Sequence, residues 1–515
     1  MSRKPNPLLA TDFYKIGHIN QYNKLTTLIF SNFTPRADKL FQHYVKNAPH
    51  AVLVAGVQGV IQSFVIDLWN DGFFKQPKTK VIGQYKRLVD KSLNVDLDVK
   101  HIEALHDLGY LPLEIRCLPE GTLCPIQVPI YTVHNTDDRF AWLTNYFESG
   151  LSAETWKVIT NATTAFNYRL LFERYAEKTC DNNSHVDFQG HDFAFRGLSG
   201  IYDGYGSSFG HILSFKGTDT VLAIQYAEDF YGAEDTFVAG SIPASEHSVA
   251  TTNIGAIIED QRKHRMTQAH VSIDTERYLA EKEFLSRYIT EIYPAGFVSY
   301  VADSYDYWSV LTKIAVELKE QIMAREGRLV FRPDSGDPVK IICGDPDAKV
   351  GSPAYKGAVE CLWEVFGGTT TEQGYKVLNE RVGLIYGDSI TLDRAQRILE
   401  GLEAKGFASN NLVFGIGSFT YNYLTRDTFG FAVKATWGQV NGVGRELFKD
   451  PITDSGVKKS AKGLLRIEES ENGFTLFDQQ TAEQEQGGAL KTVFENGKLQ
   501  YECTLDQIRE RLSIA

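Results

Sequence analysis

The sequence has few cysteines and no long apolar run, and both absences narrow the class of protein. Six cysteines occur among 515 residues, and none forms a C-x-x-C pair. This spacing fits neither a disulfide scaffold nor a zinc site, and reduced thiols are typical of the cytoplasm. No stretch approaches the roughly 20 apolar residues of a membrane span, and the short run Leu8–Ala10 cannot form a signal-peptide core. We therefore expect a cytoplasmic protein without a membrane partner.

An excess of positive charge is also missing. The chain carries 53 Lys and Arg against 65 Asp and Glu, a net charge of −12. Nucleic-acid binding depends on basic patches that neutralise phosphates, so we expect no nucleic-acid partner. Small anionic substrates are compatible with this charge because they need only a local cluster of Arg and Lys.

Several nucleotide-binding and metal-binding motifs are absent. The sequence has no G-x-x-x-x-G-K-S/T, which argues against a P-loop NTPase. It has no complete G-x-G-x-x-G after a strand, which argues against a dinucleotide-binding fold. It also lacks H-E-x-x-H.

What the sequence does contain, between about 190 and 420, is a repeated pattern of short apolar strands that end in polar or glycine-containing clusters. The predicted strands are Thr236–Gly240, Phe297–Ala302, Leu329–Phe331, Val382–Tyr386 and Asn411–Phe414. Helical periodicity follows at Asp219–Tyr231 and Thr391–Glu403. Strand, polar loop and helix in alternation predict an irregular α/β barrel, with chemistry at the carboxyl ends of the strands. An open doubly wound sheet would give similar local patterns, and the barrel is favoured over it.

Both chain ends have a different pattern, rich in antiparallel strand signals. Leu111–Val133 is strand-rich, and Asn472-Gly473 and Asn496-Gly497 are hairpin turns between apolar runs. We predict a second, antiparallel-β-rich α+β domain formed by residues 1–165 and 430–515, around a catalytic barrel of residues 166–429.

The segment Arg332–Gly336 follows one predicted strand and carries groups suited to a sugar phosphate. Arg332 can hold a phosphate or carboxylate with two hydrogen bonds, and Asp334 can accept from ribose hydroxyls or bind a metal. Pro333 forces the chain out of the strand, and Gly336 permits the turn that follows. The alternative interpretation is a charged turn with an internal Arg–Asp pair.

Other strand ends carry further candidates, each with a structural alternative. His247, beside Glu246, suits a nucleophile or general base whose ring a carboxylate orients; the alternative is a surface histidine at a helix start. Phe193 and Arg196 could stack on a flat ring and meet a phosphate, or be core and surface residues. Asp219 could accept from an amide, or Thr218 or Asp219 could cap the next helix.

A small-residue turn, Gly415–Ser418, is followed by Arg426. Exposed backbone amides at such a turn bind phosphate, and the arginine adds charge. An isolated Gly-x-Gly is a weak signal by itself.

Together these segments resemble the type II phosphoribosyltransferases, and among them the nicotinamide phosphoribosyltransferase family. The matching segments occur in order from near residue 8 to past residue 460. They are Leu8–Lys15, His191–Gly197, Phe215–Thr220, Ser241–Ser248, Asp303–Asp306, Arg332–Gly336, Gly387-Asp388, Leu424–Asp427, Phe448–Pro451 and Lys458-Lys459. The resemblance departs at Gly415–Phe419, where the family loop is richer in glycine.

The resemblance implies a reaction and its cofactors. Nicotinamide and phosphoribosyl pyrophosphate would give nicotinamide mononucleotide and pyrophosphate with Mg²⁺, in the service of NAD salvage. ATP would be a co-substrate, hydrolysed through a phosphohistidine at His247. The family also implies a homodimer with active sites at the interface, because Tyr14 would come from the second subunit.

The resemblance also implies residue roles. Catalytic roles fall to His247, Asp334, Asp303 and Glu246. Nicotinamide would be bound by Tyr14, Asp12, Phe193, Asp219, Ser299 and Arg332. The phosphoribosyl and diphosphate groups would be bound by Arg36, Arg196, Ser241, Gly387, Asp388, Gly417, Ser418, Arg426, Lys434, Lys449 and Lys458. The metal ligands are not indicated.

Three alternative functions are compatible with parts of the pattern. A nicotinate phosphoribosyltransferase would share the fold, but Asp219 would repel the acid. A barrel glycoside hydrolase could use a carboxylate pair such as Asp303 and Asp334, yet it would not need the Arg and Lys clusters. A non-catalytic ligand-binding protein could keep the fold alone.

Overall fold

The computed structural model describes residues 5–45, 48–264, 271–387, 389–448, 461–471 and 473–514. Strands within these ranges are β1 Thr26–Thr34, β2 Ala51–Leu53, β3 Leu113–Cys117, β4 Leu123–Pro125, β5 Tyr131–Asn135, β6 Gly190–Asp192, β7 Gly217–Thr218, β8 Ala295–Val301, β9 Glu326–Arg332, β10 Gly368–Thr370, β11 Lys376–Leu378, β12 Val382–Tyr386, β13 Leu412–Ile416, β14 Ala432–Val440, β15 Val443–Glu446, β16 Leu464–Ser470, β17 Gly473–Gln480, β18 Lys491–Glu495 and β19 Lys498–Leu499.

The longer α-helices of the described residues are α1 Lys78–Leu93, α2 Lys100–Leu108, α3 Glu148–Thr179, α4 Val221–Tyr231, α5 His247–His264, α6 Ile273–Arg287, α7 Ala358–Phe366, α8 Leu392–Ala404 and α9 Leu505–Ile514. Short helical segments, some of them 3-10 or π turns, connect the rest. They are Pro7–Leu9, Phe13–Ile16, His18–Gln21, Lys39–Tyr44, Val57–Val60, Ile61–Leu68, Asn70–Phe74, Asp138–Phe140, Ala141–Tyr146, Val186–Gln189, Phe195–Gly197, Ile201–Gly206, Phe209–Ser214, Tyr288–Ile292, Tyr307–Ser309, Val310–Ile314, Ala315–Glu317, Lys319–Ala324, Pro338–Cys343, Pro353–Lys356, Ser409–Asn411, Ser418–Tyr421, Arg426–Thr428 and Ala482–Glu485. None of the described helices is both long and apolar enough to cross a membrane.

Six parallel strands form the larger part of a barrel, in the order β7-β6-β13-β12-β9-β8. The segment 240–245 completes the barrel without forming a regular strand. Its Gly240 pairs with Gly217 of β7 and its Ala244 pairs with Ser299 of β8, both in parallel. The carboxyl ends of all these strands therefore meet at one end of the barrel.

The chain ends build a second, seven-stranded sheet in the order β15-β14-β1-β5-β3-β18-β19. Every pairing within it is antiparallel. Strands from the N-terminal part lie between strands from the C-terminal part. The predicted fold class, an irregular α/β barrel with an antiparallel-rich unit from both chain ends, is confirmed. The exact boundaries at 165/166 and 429/430 stay predictions.

Helix α3 packs against both units. Its first half buries Val158, Ile159 and Ala162 in the core that includes the antiparallel sheet. Its second half buries Tyr168 and Phe172 in the core of the barrel. This 32-residue helix therefore connects the two cores without a break at residue 165.

The strand and helix expectations agree with the structure at most positions. Val382–Tyr386 is β12 as predicted, and the predicted helix Thr391–Glu403 is α8 at Leu392–Ala404. The hairpin signals at 472–473 and 496–497 are confirmed by the β16–β17 and β18–β19 pairs. Thr236–Gly240 is the exception, because it contributes one isolated bridge, at Gly240, rather than a strand.

Two helical glycines provide a matched test of the packing between the short helix Phe209–Ser214 and α3. A Cβ on Gly210 would lie 2.6 Å from the backbone nitrogen of Ala162 and 2.8 Å from the carbonyl oxygen of Val158. A Cβ on the exposed Gly83 of α1 would meet nothing within 4 Å. We expect Gly210→Ala to lower the free energy of unfolding by about 1–3 kcal/mol, because backbone atoms cannot yield as side chains do. Gly83→Ala should raise it by up to about 1 kcal/mol. Thermal unfolding midpoints check both; a Gly210→Ala protein as stable as the parent would contradict this packing.

Candidate active site at the carboxyl ends of the barrel strands

The carboxylate of Asp219 lies just past β7 in a polar cluster built from three strand ends. His191 on β6 hydrogen-bonds through Nε2 to Asp219 Oδ1 at 2.9 Å, and the hydroxyl of Ser241 donates to the same oxygen at 2.5 Å. Oδ2 has no hydrogen-bond partner among the described residues. Burial raises the pKa of Asp219, but the hydrogen bonds from His191 and Ser241 and the nearby positive charges outweigh it and hold the pKa below its ordinary value. The cluster therefore presents a stable anion with one oxygen that no described residue hydrogen-bonds.

Neither Thr218 nor Asp219 caps the next helix, so this structural alternative is wrong. Helix α4 begins at Val221, its N-cap is Thr220, and no side chain makes the capping hydrogen bond. The hydroxyl of Thr218 instead accepts from the backbone N–H of Thr220 at 3.0 Å. Asp219 is thereby left for the site.

Phe193 provides a half-buried aromatic surface next to this anion. Its ring lies 4.7 Å from that of His191, centroid to centroid. A Cβ on Gly415 would come within 2.7 Å of the Phe193 ring and of Gly387 Cα. Glycines at the ends of β12 and β13 thus leave the space that the ring occupies. A flat ligand ring could stack here beside Asp219.

Arg332, at the end of β9, has a buried guanidinium nitrogen without a hydrogen-bond partner among the described residues. Its Nη2 donates to the carbonyl oxygen of Ser245 at 2.9 Å. Its Nε and the hydroxyl of Ser299 on β8 are buried and have no hydrogen-bond partner within the described ranges. Among the described residues Arg332 forms no ion pair with Asp334, so the internal Arg–Asp pair considered for this turn is not observed.

His247 is the first residue of α5 and its ring contacts the buried carboxylate of Asp303. The ring's Nε2 lies 3.5 Å from Asp303 Oδ1, and its Nδ1 lies 3.1 Å from the hydroxyl of Ser304. Asp303 Oδ2 accepts from the backbone N–H of Asp334 at 2.9 Å and from the hydroxyl of Ser335 at 2.6 Å. The Asp303 side chain is 5% exposed and the His247 side chain 46%. The ring is therefore hydrogen-bonded to Ser304, lies beside a fixed carboxylate and is open to solvent.

Glu246 does not orient this ring. Its carboxylate accepts a hydrogen bond from the hydroxyl of Ser248, and the residue is exposed. The carboxylate that lies next to the ring is that of Asp303.

A second buried carboxyl, Glu281 on α6, lies near the His247–Asp303 pair. The hydroxyl of Tyr300 donates to it at 3.1 Å. Burial, together with the negative charges of Asp306 and Asp303, raises the pKa of Glu281 to about 7. The sequence alone could not reveal this raised pKa, because nothing there distinguishes Glu281 from an exposed helical glutamate.

The phosphate-binding candidates lie at the end of β13. Gly417 is the N-cap of the short helix Ser418–Tyr421, and a Cβ on Gly417 would meet nothing within 4 Å. The first N–H groups of a helix have no intrahelical acceptor. Phe419, which departs from the family pattern, is exposed and stacks on Tyr423 with ring centroids 5.2 Å apart. The aromatic ring thus packs away from the turn's backbone.

Two arginines lie at the segment 426–430, which follows this turn in the chain. Arg426 begins the 3-10 turn Arg426–Thr428 and pairs with Asp427 at 3.0 Å. Arg36, from the N-terminal part, donates through Nε to the carbonyl oxygen of Gly430 at 2.8 Å. The N-terminal part of the chain therefore contributes a cation next to the segment 426–430.

The remaining predicted site residues have fewer contacts with the site described above. Arg196 is exposed in the 3-10 turn Phe195–Gly197, and Lys434 is exposed on β14. Tyr14 is 62% exposed and packs edge-on to His18, while Asp12 accepts from the hydroxyl of Ser149 at the start of α3. Asp334 Oδ1 lies 3.1 Å from where a Cβ on Gly387 would be. Asp388, Lys449 and Lys458 lie outside the described residues.

Comparison with known proteins identifies the family. The family model for nicotinate phosphoribosyltransferases, the NAPRTase family, matches residues 188–498. The chain belongs to this family. The nicotinamide phosphoribosyltransferase of Acinetobacter baylyi is 56% identical over 520 residues, which cover 100% of this chain and 98% of that one. The nicotinamide phosphoribosyltransferase of Mycoplasma pneumoniae is 32% identical over 87% of this chain and 92% of its own.

A solved NAPRTase-type structure shares the fold. The human nicotinic acid phosphoribosyltransferase superposes with a TM-score of 0.57, covering 98% of this chain and 93% of that chain. At 15% identity this likeness supports the fold and not the choice of substrate.

The raised pKa of Glu281 predicts that the stability of the protein depends on pH. A folded-state pKa raised from 4.5 to about 7 means that the folded chain holds the proton more tightly than the unfolded chain. The parent therefore loses stability as the pH rises from about 5 through 7. We expect Glu281→Gln, which stays neutral and can still accept from Tyr300, to exceed the parent's free energy of unfolding at pH 8 by up to roughly 3 kcal/mol.

That advantage should shrink to near zero at pH 5. Thermal unfolding midpoints of both proteins across this range check it. Glu283→Gln, on the exposed side of the same helix, is the control and should change stability little. A pH-independent difference between Glu281→Gln and the parent would refute the assignment.

Proposed function

We propose that the protein transfers the 5-phosphoribosyl group of phosphoribosyl pyrophosphate to nicotinamide, giving nicotinamide mononucleotide and pyrophosphate. The observation that carries this choice within the family is the anionic Asp219 beside Phe193, whose Oδ2 has no hydrogen-bond partner among the described residues. The names of the Acinetobacter and Mycoplasma relatives support it. This reaction salvages nicotinamide for NAD synthesis.

Recognition of the amide follows from charge. Nicotinamide presents an NH₂ donor to Asp219, whereas nicotinate would present a carboxylate to a carboxylate. Like charges in a partly buried site repel strongly, so the anion selects against the acid. Phe193 stacks on the pyridine ring, and Ser299 and Arg332 supply partners for the amide oxygen.

The phosphoribosyl group would lie across the ends of β9, β12 and β13. Backbone amides at Gly417 and Ser418, with Arg426, bind the 5′-phosphate. Asp334 accepts from the ribose hydroxyls, beside the open space at Gly387. Positive charge develops on the ribose as the bond from C1′ to pyrophosphate breaks, so fixed charges and positioning supply the catalysis.

Mg²⁺ fits the carboxylates present. The described residues contain no group of three or more His, Cys, Asp or Glu side chains that could hold a metal ion alone. Mg²⁺ instead suits a site with one or two carboxylates plus substrate phosphates, because it keeps several of its waters. Asp334 would hold it, and the ion would neutralise charge on the pyrophosphate.

ATP would act through His247. The γ-phosphoryl group transfers to a ring nitrogen of His247 and ADP leaves. The His247–Asp303 contact supports this, because a fixed carboxylate beside the ring stabilises its positive charge. Arg36 and Lys434, with the undescribed Lys449 and Lys458, are proposed partners for the phosphates of ATP or pyrophosphate.

A homodimer would complete the nicotinamide site. Tyr14 and Phe13, in the short helix Phe13–Ile16, are 62% and 54% exposed, although aromatic side chains are usually buried. In the proposed dimer Tyr14 covers the face of the pyridine ring opposite Phe193 in the partner subunit.

Substitution of Asp219 tests the proposed substrate. The parent, assayed with Mg²⁺ and phosphoribosyl pyrophosphate, should turn nicotinamide over with a higher kcat/KM than nicotinate. In Asp219→Ala this preference should fall by about tenfold to a hundredfold, since a charge-assisted hydrogen bond is lost and a repulsion is removed. Asp229→Ala, on the far side of α4, is the control and should keep the parent's ratio. A parent that prefers nicotinate would instead support a nicotinate phosphoribosyltransferase.

Labelling with γ-labelled ATP tests the phosphohistidine. An acid-labile, base-stable phosphate should form on the parent and on His264→Ala, whose substitution lies at the other end of α5. It should be absent from His247→Ala. Label that survives in His247→Ala, or a parent that takes up none, would remove this role from His247.

A further inference from the structure

Two loops on the phosphate side of the site are joined by a polar network that the proposed reaction does not yet use. The 196–200 loop carries Arg196, and the 417–422 turn carries Gly417 and Ser418. The two loops lie more than 200 residues apart in the sequence. Their relative position decides whether both can reach one phosphorylated sugar.

Lys157 on α3 is the centre of this network. Its Nζ forms an ion pair with Asp203 and donates to the side-chain oxygen of Asn422 at 2.7 Å. The side chains of Lys157 and Asp203 are 13% and 12% exposed. Asp203 Oδ2 also accepts from the backbone N–H of Ser199 at 2.7 Å.

The network closes through Asn422. The side-chain amide of Asn422 donates to the carbonyl oxygen of Gly197 at 2.9 Å, and its backbone N–H donates to Ser418 at 2.7 Å. Lys157 is therefore connected to the 196–200 loop through Asp203 and to the 417–422 turn through Asn422. Asn422 connects the loop and the turn directly.

The loop and the turn are also in tight steric contact. A Cβ on Gly197 would lie 2.0 Å from the hydroxyl oxygen of Ser418 and 2.5 Å from its Cβ. Only glycine fits at 197 while Ser418 keeps this position. A small shift of either segment would therefore move the other.

We propose that Lys157 is a positioning residue for phosphoribosyl pyrophosphate, holding the 196–200 loop and the 417–422 turn at the spacing that binds the phosphorylated ribose. This rests on the proposed function. Lys157 does not contact the substrate in this account, because its ammonium group is buried against Asp203 and Asn422. Its effect reaches the substrate through Arg196, Gly417 and Ser418.

A positioning role differs measurably from a stabilising one. Loss of the spacing should weaken binding of phosphoribosyl pyrophosphate and leave nicotinamide binding intact, because Asp219 and Phe193 are not in the network. A merely stabilising ion pair would lower the thermal midpoint without separating the two Michaelis constants.

Asn422→Ala is the sharper variant, since it removes the link to Gly197 and leaves the Lys157–Asp203 pair in place. Lys157→Met removes the contacts of Lys157 with both Asp203 and Asn422. It also leaves the largely buried Asp203 without its counter-charge, which destabilises the fold. In each variant we expect the KM for phosphoribosyl pyrophosphate to rise on the order of tenfold, as small displacements of binding groups do. The KM for nicotinamide should stay within about twofold of the parent's, by the same reasoning.

Lys178→Met is the matched control. Lys178 lies near the other end of the same helix, and its ion pair with Glu403 is remote from the two loops. Both Michaelis constants should match the parent's. The proposal is overturned if Asn422→Ala and Lys157→Met keep the parent's KM for phosphoribosyl pyrophosphate, or if both Michaelis constants rise together.

A calorimetric titration separates this inference from the proposed function. If the parent forms no nicotinamide mononucleotide, the proposed function fails. Binding of phosphoribosyl pyrophosphate to parent, Asn422→Ala and Lys178→Met then still tests Lys157's network. Weaker binding in Asn422→Ala alone supports the network's role, and equal affinity, or no binding by the parent, refutes it.

Discussion

Closure of the barrel depends on the segment 240–245, which hydrogen-bonds to β7 on one side and to β8 on the other. The N–H of Thr218 donates to the carbonyl of Gly240 at 3.0 Å, and the N–H of Ser299 donates to that of Pro243 at 2.8 Å. An irregular segment serves here because Pro243 has no N–H for a regular ladder. These bonds place Ser241 against Asp219 and start α5 at His247. One closure thus brings the proposed amide-binding anion and the phosphohistidine candidate to the same end of the barrel.

The two halves of the site depend on different supports. In the proposed site, the nicotinamide side rests within one chain on barrel residues, among them His191, Asp219 and Ser299. The phosphate side also depends on α3, which carries Lys157 and is packed into both cores, and on Arg36 from the antiparallel sheet. A long helix packed into both cores is a rigid support, and this would suit a site for a flexible, highly charged substrate.

Sequence patterns predicted the parts of the fold that depend on short-range order. Apolar strands followed by polar clusters predicted β8, β9, β12 and β13, and parallel strands bring their carboxyl ends together. Asn-Gly turns predicted the two C-terminal hairpins. Segment 236–240 was predicted as a strand, but it forms only one isolated bridge, at Gly240.

The parts that sequence could not predict depend on contacts between distant residues. Asp303 and His247 were both candidates, yet their contact depends on the closure between 240–245 and β8. Lys157, Asp203 and Asn422 lie in no recognisable motif, and only the packing of α3 brings them together. Glu281 gave no signal because a buried and an exposed glutamate look alike in a helical sequence.

A crystal structure with nicotinamide mononucleotide would test the central claim most directly, that the strand ends divide into an amide side and a phosphate side. We predict that the pyridine ring stacks on Phe193, with the carboxamide nitrogen within hydrogen-bond distance of Asp219 Oδ2. The 5′-phosphate should lie against the backbone amides of the 417–422 turn and Arg426. A carboxamide turned away from Asp219, or a phosphate bound elsewhere, would contradict it.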